Sequence, residues 1–125
     1  LEAATCAALK DYQGDVALMS FNPHAVAKCA ELAPDIPRGI VTSSYEAVYW
    51  PEVPEDTRNT LRDIPDYDRT GSCFISHEAT DLDRPRVAEL KSQGAQIFTW
   101  TIRSAAQEAD ARRIVDNVTF EGYLA

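Results

Sequence analysis

The residues best equipped for chemistry gather at a few places along the chain. His77-Glu78, with Asp81 and Asp83, brings one imidazole and three carboxylates close together in sequence. Such a donor set can hold a divalent cation, but its members do not repeat at a helical or hairpin interval and include a single imidazole, so a solvated loop is expected. Ser20 offers a nucleophilic hydroxyl. No histidine and acid accompany it to take its proton, and a capping or backbone-bonding role is expected instead. Arg103 carries a planar guanidinium that can grip a phosphate through two parallel hydrogen bonds; a surface ion pair is the commoner use. His24 falls in the first turn of an expected helix and is assigned to the surface. Cys6, Cys29 and Cys73 are odd in number, widely spaced and without a C-x-x-C pair, so they offer neither a zinc nor a redox motif. Three small buried hydrophobes in a reducing, cytoplasmic compartment fit them.

Positioning these residues falls to alternating helices and strands. Leu1, Thr5, Ala8, Leu9 and Tyr12 are spaced as on a helix that stops at Gly14. Residues 16–19, all apolar, suit a strand covered on both faces. Asn22-Pro23 opens a second helix, with Val26, Cys29, Ala30 and Ala33 on one face and Pro34 and Pro37 beyond its end. Residues 39–42 form a second strand. Residues 43–71 hold Tyr45, Tyr49, Trp50 and Tyr67 among breakers, with one helix from about Glu55 to Arg62. Those aromatics form a lid, a partner surface, or a loop packed on the body of the domain.

Residues 73–76 are a third strand. A helix capped by Asp83 buries Val87 and Leu90 and ends at Gly94. Residues 96–101 are a fourth strand, rich in β-branched and aromatic residues. Ser104 and Gln107 match a capping box opening a helix to about Val115, and residues 117–120 close the pattern as a fifth strand. Regular α–β alternation indicates parallel pairing with right-handed crossovers. In such a sheet ligands bind beyond the carboxyl ends of the strands, here around Ser20-Phe21-Asn22, Thr42-Ser43, His77-Glu78, Thr101 to Ser104 and Phe120-Glu121. Phe98, Trp100 and Ile102 alternate and are expected on one strand face, in the core or lining a pocket.

A chain of 125 residues supports one domain around one core, assigned to residues 1–125. The formal net charge of −8 sets the chain against nucleic acid and anionic membrane surfaces. The helix carrying Asp110, Arg112 and Arg113 is a solvated face, not a nucleic-acid patch. No apolar run reaches the ~18 residues of a membrane span. The start, Leu1-Glu2-Ala3-Ala4, lacks the basic and apolar regions of a signal peptide and lacks an initiator Met, and reads as a piece of a longer chain.

Four stretches, in order, resemble the glycerophosphodiester phosphodiesterase family. They are Met19-Ser20-Phe21-Asn22-Pro23; Leu32-Ala33-Pro34-Asp35-Ile36-Pro37-Arg38-Gly39; Gly94-Ala95-Gln96-Ile97-Phe98-Thr99-Trp100-Thr101-Ile102-Arg103; and Asp116-Asn117-Val118-Thr119-Phe120-Glu121-Gly122. Trp50 followed by Thr57-Arg58-Asn59-Thr60-Leu61-Arg62 is similar to the middle segment of a bacterial branch. Each is short, and their joint order and spacing carry the resemblance.

The resemblance implies an α/β fold, the C-terminal half of a TIM (β/α)8 barrel with about five short parallel strands and outer helices. It implies a parent reaction that cuts a glycerophosphodiester to glycerol 3-phosphate and an alcohol, with two histidines and a divalent metal, Mg or Ca. The family's His-Arg-Gly strand, acidic strand pair, His-Asp strand end and Glu-x-Lys strand are not found in residues 1–125, so no catalytic residue or metal ligand carries over. What carries over is a substrate-binding wall. Phe21 and Trp100 match aromatics near the barrel mouth. Arg103 stands where many members have Asn, and Glu121 near a common Thr-Asp ending. On this reading the chain alone is inactive, and its open surface calls for the missing N-terminal half or for self-association. A self-contained, non-enzymatic α/β binding module is the competing reading.

Overall fold

The computed structural model describes residues 1–125. Five strands make a single parallel sheet in the order β1 (Leu18–Ser20), β2 (Arg38–Thr42), β3 (Phe74–Glu78), β4 (Gln96–Ile102), β5 (Asn117–Phe120). The helices are α1 (Glu2–Leu9), α2 (Pro23–Leu32), α3 (Glu55–Arg62), α4 (Pro85–Ser92) and α5 (Ala105–Ala111), with a 3-10 turn at Ala79–Asp81. Strand order equals chain order, so each crossover advances by one position. This is the progression of a (β/α) barrel stopped partway, with β1 and β5 as free edges.

The register sorts the side chains. Ile75, Ile97 and Ile102 point to the helices and pack with Val87 and Leu90 of α4, Ala111 of α5 and Val115. Gly39, Phe74, Phe98 and Trp100 belong to the opposite, concave face. No helix covers that face: Met19 on the edge strand is 52% exposed, and Gln96, Asn117 and Thr119 are open to solvent. Deep in the concavity the Phe74 and Phe98 rings meet at 4.7 Å. Gly39 makes room for them, because a Cβ there would lie 2.3 Å from the Phe74 ring.

Local signals act as their residue types require. Asn22 Oδ1 accepts from the backbone N–H of His24 at 2.9 Å, with Pro23 opening α2. Ser104 Oγ accepts from the N–H of Gln107, whose own side chain accepts from the N–H of Arg103. Gly94 follows α4 with a φ of +99°, a conformation that costs glycine little.

Several expectations need correction. The first strand is not covered on both faces, since Met19 on its concave side is 52% exposed. α4 is not capped by Asp83; its N-cap is Arg84, with no side-chain bond to the backbone. α5 ends at Ala111, well short of Val115. β3 runs two residues further than expected and takes in His77 and Glu78. Ile102 does not share the face of Phe98 and Trp100: the β4–β5 register shifts between Thr99 and Ile102, and Ile102 turns into the helix-side core. Of the cysteines, Cys73 is exposed.

Candidate functional site

The mouth of the half-barrel is built at the carboxyl ends of β1 to β5. Ser20 ends β1, and its Oγ accepts from the N–H of Asn22 at 3.0 Å, the backbone-bonding role expected of it. That turn presents Phe21, 38% exposed, over the concave side. Its ring packs edge-to-face on Trp100, with centroids 5.4 Å apart, and on Trp50, at 5.2 Å. Trp50 in turn lies 5.2 Å from Tyr45, so four aromatic rings form a continuous wall. Trp100 is fixed from behind, where its indole N–H donates to Ser76 O at 3.0 Å and Thr42 O at 3.2 Å, on two neighbouring strands.

The loop bearing Tyr45 and Trp50 is fastened to the sheet by a carboxylate. Glu78 stands opposite Trp100 in the β3–β4 register. Its Oε2 accepts from Ser43 Oγ, Ser44 N and Ser44 Oγ at 2.8, 3.0 and 2.8 Å, and its Oε1 from Thr80 Oγ1 at 3.0 Å. Burial alone would raise its pKa, but these bonds outweigh burial and hold the carboxyl below its ordinary range. Arg62, at the end of α3, donates to the Ser44 and Tyr45 carbonyls and closes the loop from its other end.

His77 has no solvent exposure and lies on the helix side of β3. Its Nε2 faces Asp81 O and Asp81 Oδ2, both at 3.1 Å, which are acceptors. Nε2 therefore carries the proton, and Nδ1 accepts from the Thr42 hydroxyl at 2.7 Å. Burial lowers its pKa, against the opposing pull of Asp81. The expected solvated loop at His77-Glu78 is thus overturned. Successive strand residues face opposite ways, so the imidazole is a core group and only Glu78 reaches the mouth.

Asp81 is further engaged by Arg84 at 2.6 Å. No three His, Cys, Asp or Glu side chains converge as a metal centre. With Glu78 and Asp81 committed to internal donors, His77, Glu78, Asp81 and Asp83 do not assemble a cation site.

Arg103 and Glu121, at the ends of β4 and β5, meet at the rim: Nη2 and Nε of the arginine approach Oε1 at 2.6 and 2.7 Å, with side chains 65% and 58% exposed. A cavity of about 300 Å³ opens beside Arg103, lined also by Thr80, Asp83, Thr101, Gln107 and Asp110. The four site residues named from sequence therefore come together as two pairs, Phe21 with Trp100 and Arg103 with Glu121. Sequence reasoning missed Glu78 as the group that pins the aromatic loop. The signal was available, since a β3 extended by two residues places Glu78 on the face of Ser76.

The model of the glycerophosphoryl diester phosphodiesterase family matches residues 3–119. The chain belongs to that family. No curated protein matches it. A phosphodiesterase from Oleispira antarctica, solved in complex with the product sn-glycerol-3-phosphate, is 21% identical with a TM-score of 0.67; the match covers 96% of this chain and 46% of that one. A glycerophosphodiester phosphodiesterase from Parabacteroides distasonis is 16% identical with a TM-score of 0.65, covering 96% of this chain and 47% of its own. Residues 1–125 thus span less than half the length of these two proteins. Their likeness extends to the fold, a partial TIM barrel. No helix is long and apolar enough to cross a membrane.

Proposed function

We propose that this chain forms the substrate-facing wall of a barrel that hydrolyses glycerophosphodiesters to glycerol 3-phosphate and an alcohol. The observation that carries this reading is the convergence of Phe21, Trp50 and Trp100 on the concave side, at the strand ends where barrel enzymes bind their substrates. Phe21 and Trp100 pack against the glycerol or alcohol moiety. Arg103, tethered by Glu121, holds positive charge at the rim for a phosphate in an otherwise acidic protein. The parent reaction uses a divalent cation, Mg or Ca, and acid/base groups that residues 1–125 do not supply. The chain on its own is inactive. A cytoplasmic setting fits its three unpaired thiols.

The uncovered concave face and the two free edges belong with a complementary N-terminal half, or with a second copy of the chain. A phosphodiesterase assay on the purified chain, with and without Mg or Ca, tests the reading: no turnover is expected, and robust metal-dependent turnover refutes it. Sedimentation tests the surface. A partner-bound or self-associated species is expected, and a monodisperse monomer at micromolar concentration counts against it.

A further inference from the structure

α1 is an unusual helix for this fold. Its one substantial packing partner among the helices and strands is α2. Most of its alanines face solvent, and the single side chain it buries is Cys6, 7% exposed. On α2 the residues buried are Val26 and Cys29, the latter 8% exposed. The α1–α2 contact therefore centres on two thiols. They lie close enough that Cys6 adds to the effect of burial in holding the Cys29 thiol above its ordinary pKa.

Both cysteines also border open space. Cys6 lines an open cavity of about 490 Å³ between α1, Tyr12, Val16 and the turn after α2. Cys29 lines another, of about 130 Å³, between α1, β1 and α2. Either admits a molecule the size of hydrogen peroxide. Cys73 is on β3's approach, exposed and apart from the α1–α2 contact.

We propose that Cys6 and Cys29 are an oxidation site that closes to an intramolecular disulfide and fastens α1 to α2. The co-reactant is a peroxide. The Cys6 thiolate attacks one peroxide oxygen; an S–O bond forms, the O–O bond breaks, and hydroxide leaves and takes up the thiol's proton as water. The Cys29 sulfur then attacks Cys6 Sγ, forming the S–S bond and breaking S–O, and the departing hydroxide takes the Cys29 proton as a second water. Two thiols lose two electrons and two protons, and one peroxide becomes two waters. Burial of the Cys29 thiol makes the second step slow in isolation, and the proximity of the partner sulfur offsets this. The cross-link restrains a helix whose main packing partner is α2 rather than a strand, beside the free edge of β1.

The test is titration of the folded chain with hydrogen peroxide, using Cys73→Ser to prevent links between molecules. Free thiols in this variant should fall from two to none while the mass drops by two hydrogens, and a peptide map should join the Cys6 and Cys29 peptides. Amide exchange in α1 should slow by about tenfold or more. In Cys29→Ser, Cys6 should stop at a sulfenic acid that a dimedone probe traps. Thiols that survive peroxide in the folded protein, or oxidation that adds oxygen without joining the two peptides, overturn the proposal. Should Cys29→Ser fail to fold, the peptide map of the Cys73→Ser protein decides alone.

Discussion

The Trp100 indole stands edge-to-face against Phe21, with ring planes at 86°, while its N–H reaches back to the carbonyls of Ser76 and Thr42. One side chain thus ties β4 to β2 and β3 and presents an aromatic surface to the mouth. Trp100→Phe keeps most of that surface and deletes the donor. It should cost about 1 kcal/mol in urea unfolding, the net worth of a hydrogen bond of this kind. Phe21→Ala removes the edge-to-face contacts with both tryptophans from a partly exposed site. It should cost about 1–2 kcal/mol and shift tryptophan fluorescence to the red. A Phe21→Ala protein with unchanged fluorescence would show that the wall does not exist in solution.

Acid should destabilise the chain in two steps. His77 has a folded pKa below its ordinary 6.5, mainly through burial. The unfolded chain therefore binds a proton that the folded one resists. The corresponding stability is complete above 6.5 and drains away as pH falls through the folded value. Glu78 has a folded pKa below its ordinary 4.5, because its four hydrogen bonds outweigh burial. Its contribution is complete above 4.5 and is lost as pH falls through the lower folded value. Urea midpoints measured from pH 8 to pH 3 should be flat at first, decline below about 6.5, and steepen below about 4.5. His77→Gln should abolish the first decline and leave the second.

At Gly39 the concave face is filled by the Phe74 ring. Gly39→Ala places a methyl group 2.3 Å from the Phe74 ring and should destabilise by about 1–3 kcal/mol through overpacking. Because the obstacle is a side chain, Phe74→Leu should relieve part of that cost in the double variant. A double-mutant cycle in thermal unfolding reads the coupling directly. Simple additivity would mean that the clash lies with the Phe74 backbone, whose carbonyl is 2.6 Å from the same position.

Much of this architecture is legible in the sequence because it is written in local terms. The Asn22-Pro23 and Ser104–Gln107 starts, the Val87/Leu90 stripe and the β-branched run of β4 each act within a few residues, and each appears where its chemistry demands. What resists reading is set across strands. The imidazole of His77 is buried because Thr42 and Asp81, from different segments, satisfy both ring nitrogens. A polar pair in an acidic stretch otherwise looks like a loop. Glu78 pins a loop that lies more than thirty residues earlier. Ile102 faces the helices because of a register shift against β5, which strand alternation alone does not contain.

Arg103 and Glu121 separate a binding role from a structural one. Both side chains are more than half exposed, so water and salt screen the pair, and its coupling should be about 0.5 kcal/mol or less. Alanine at either position should leave the unfolding midpoint nearly unchanged. In a complete barrel that hydrolyses the diester, Arg103→Ala should raise KM for the phosphodiester by about tenfold with little change in kcat, because the lost contact binds ground state and transition state alike. Glu121→Ala frees the guanidinium and should lower KM or leave it unchanged. The KM increase on Arg103→Ala should shrink at high salt, where the charge is screened. Equal losses in kcat for both variants would assign the pair to holding β4 against β5 and would remove it from the substrate wall.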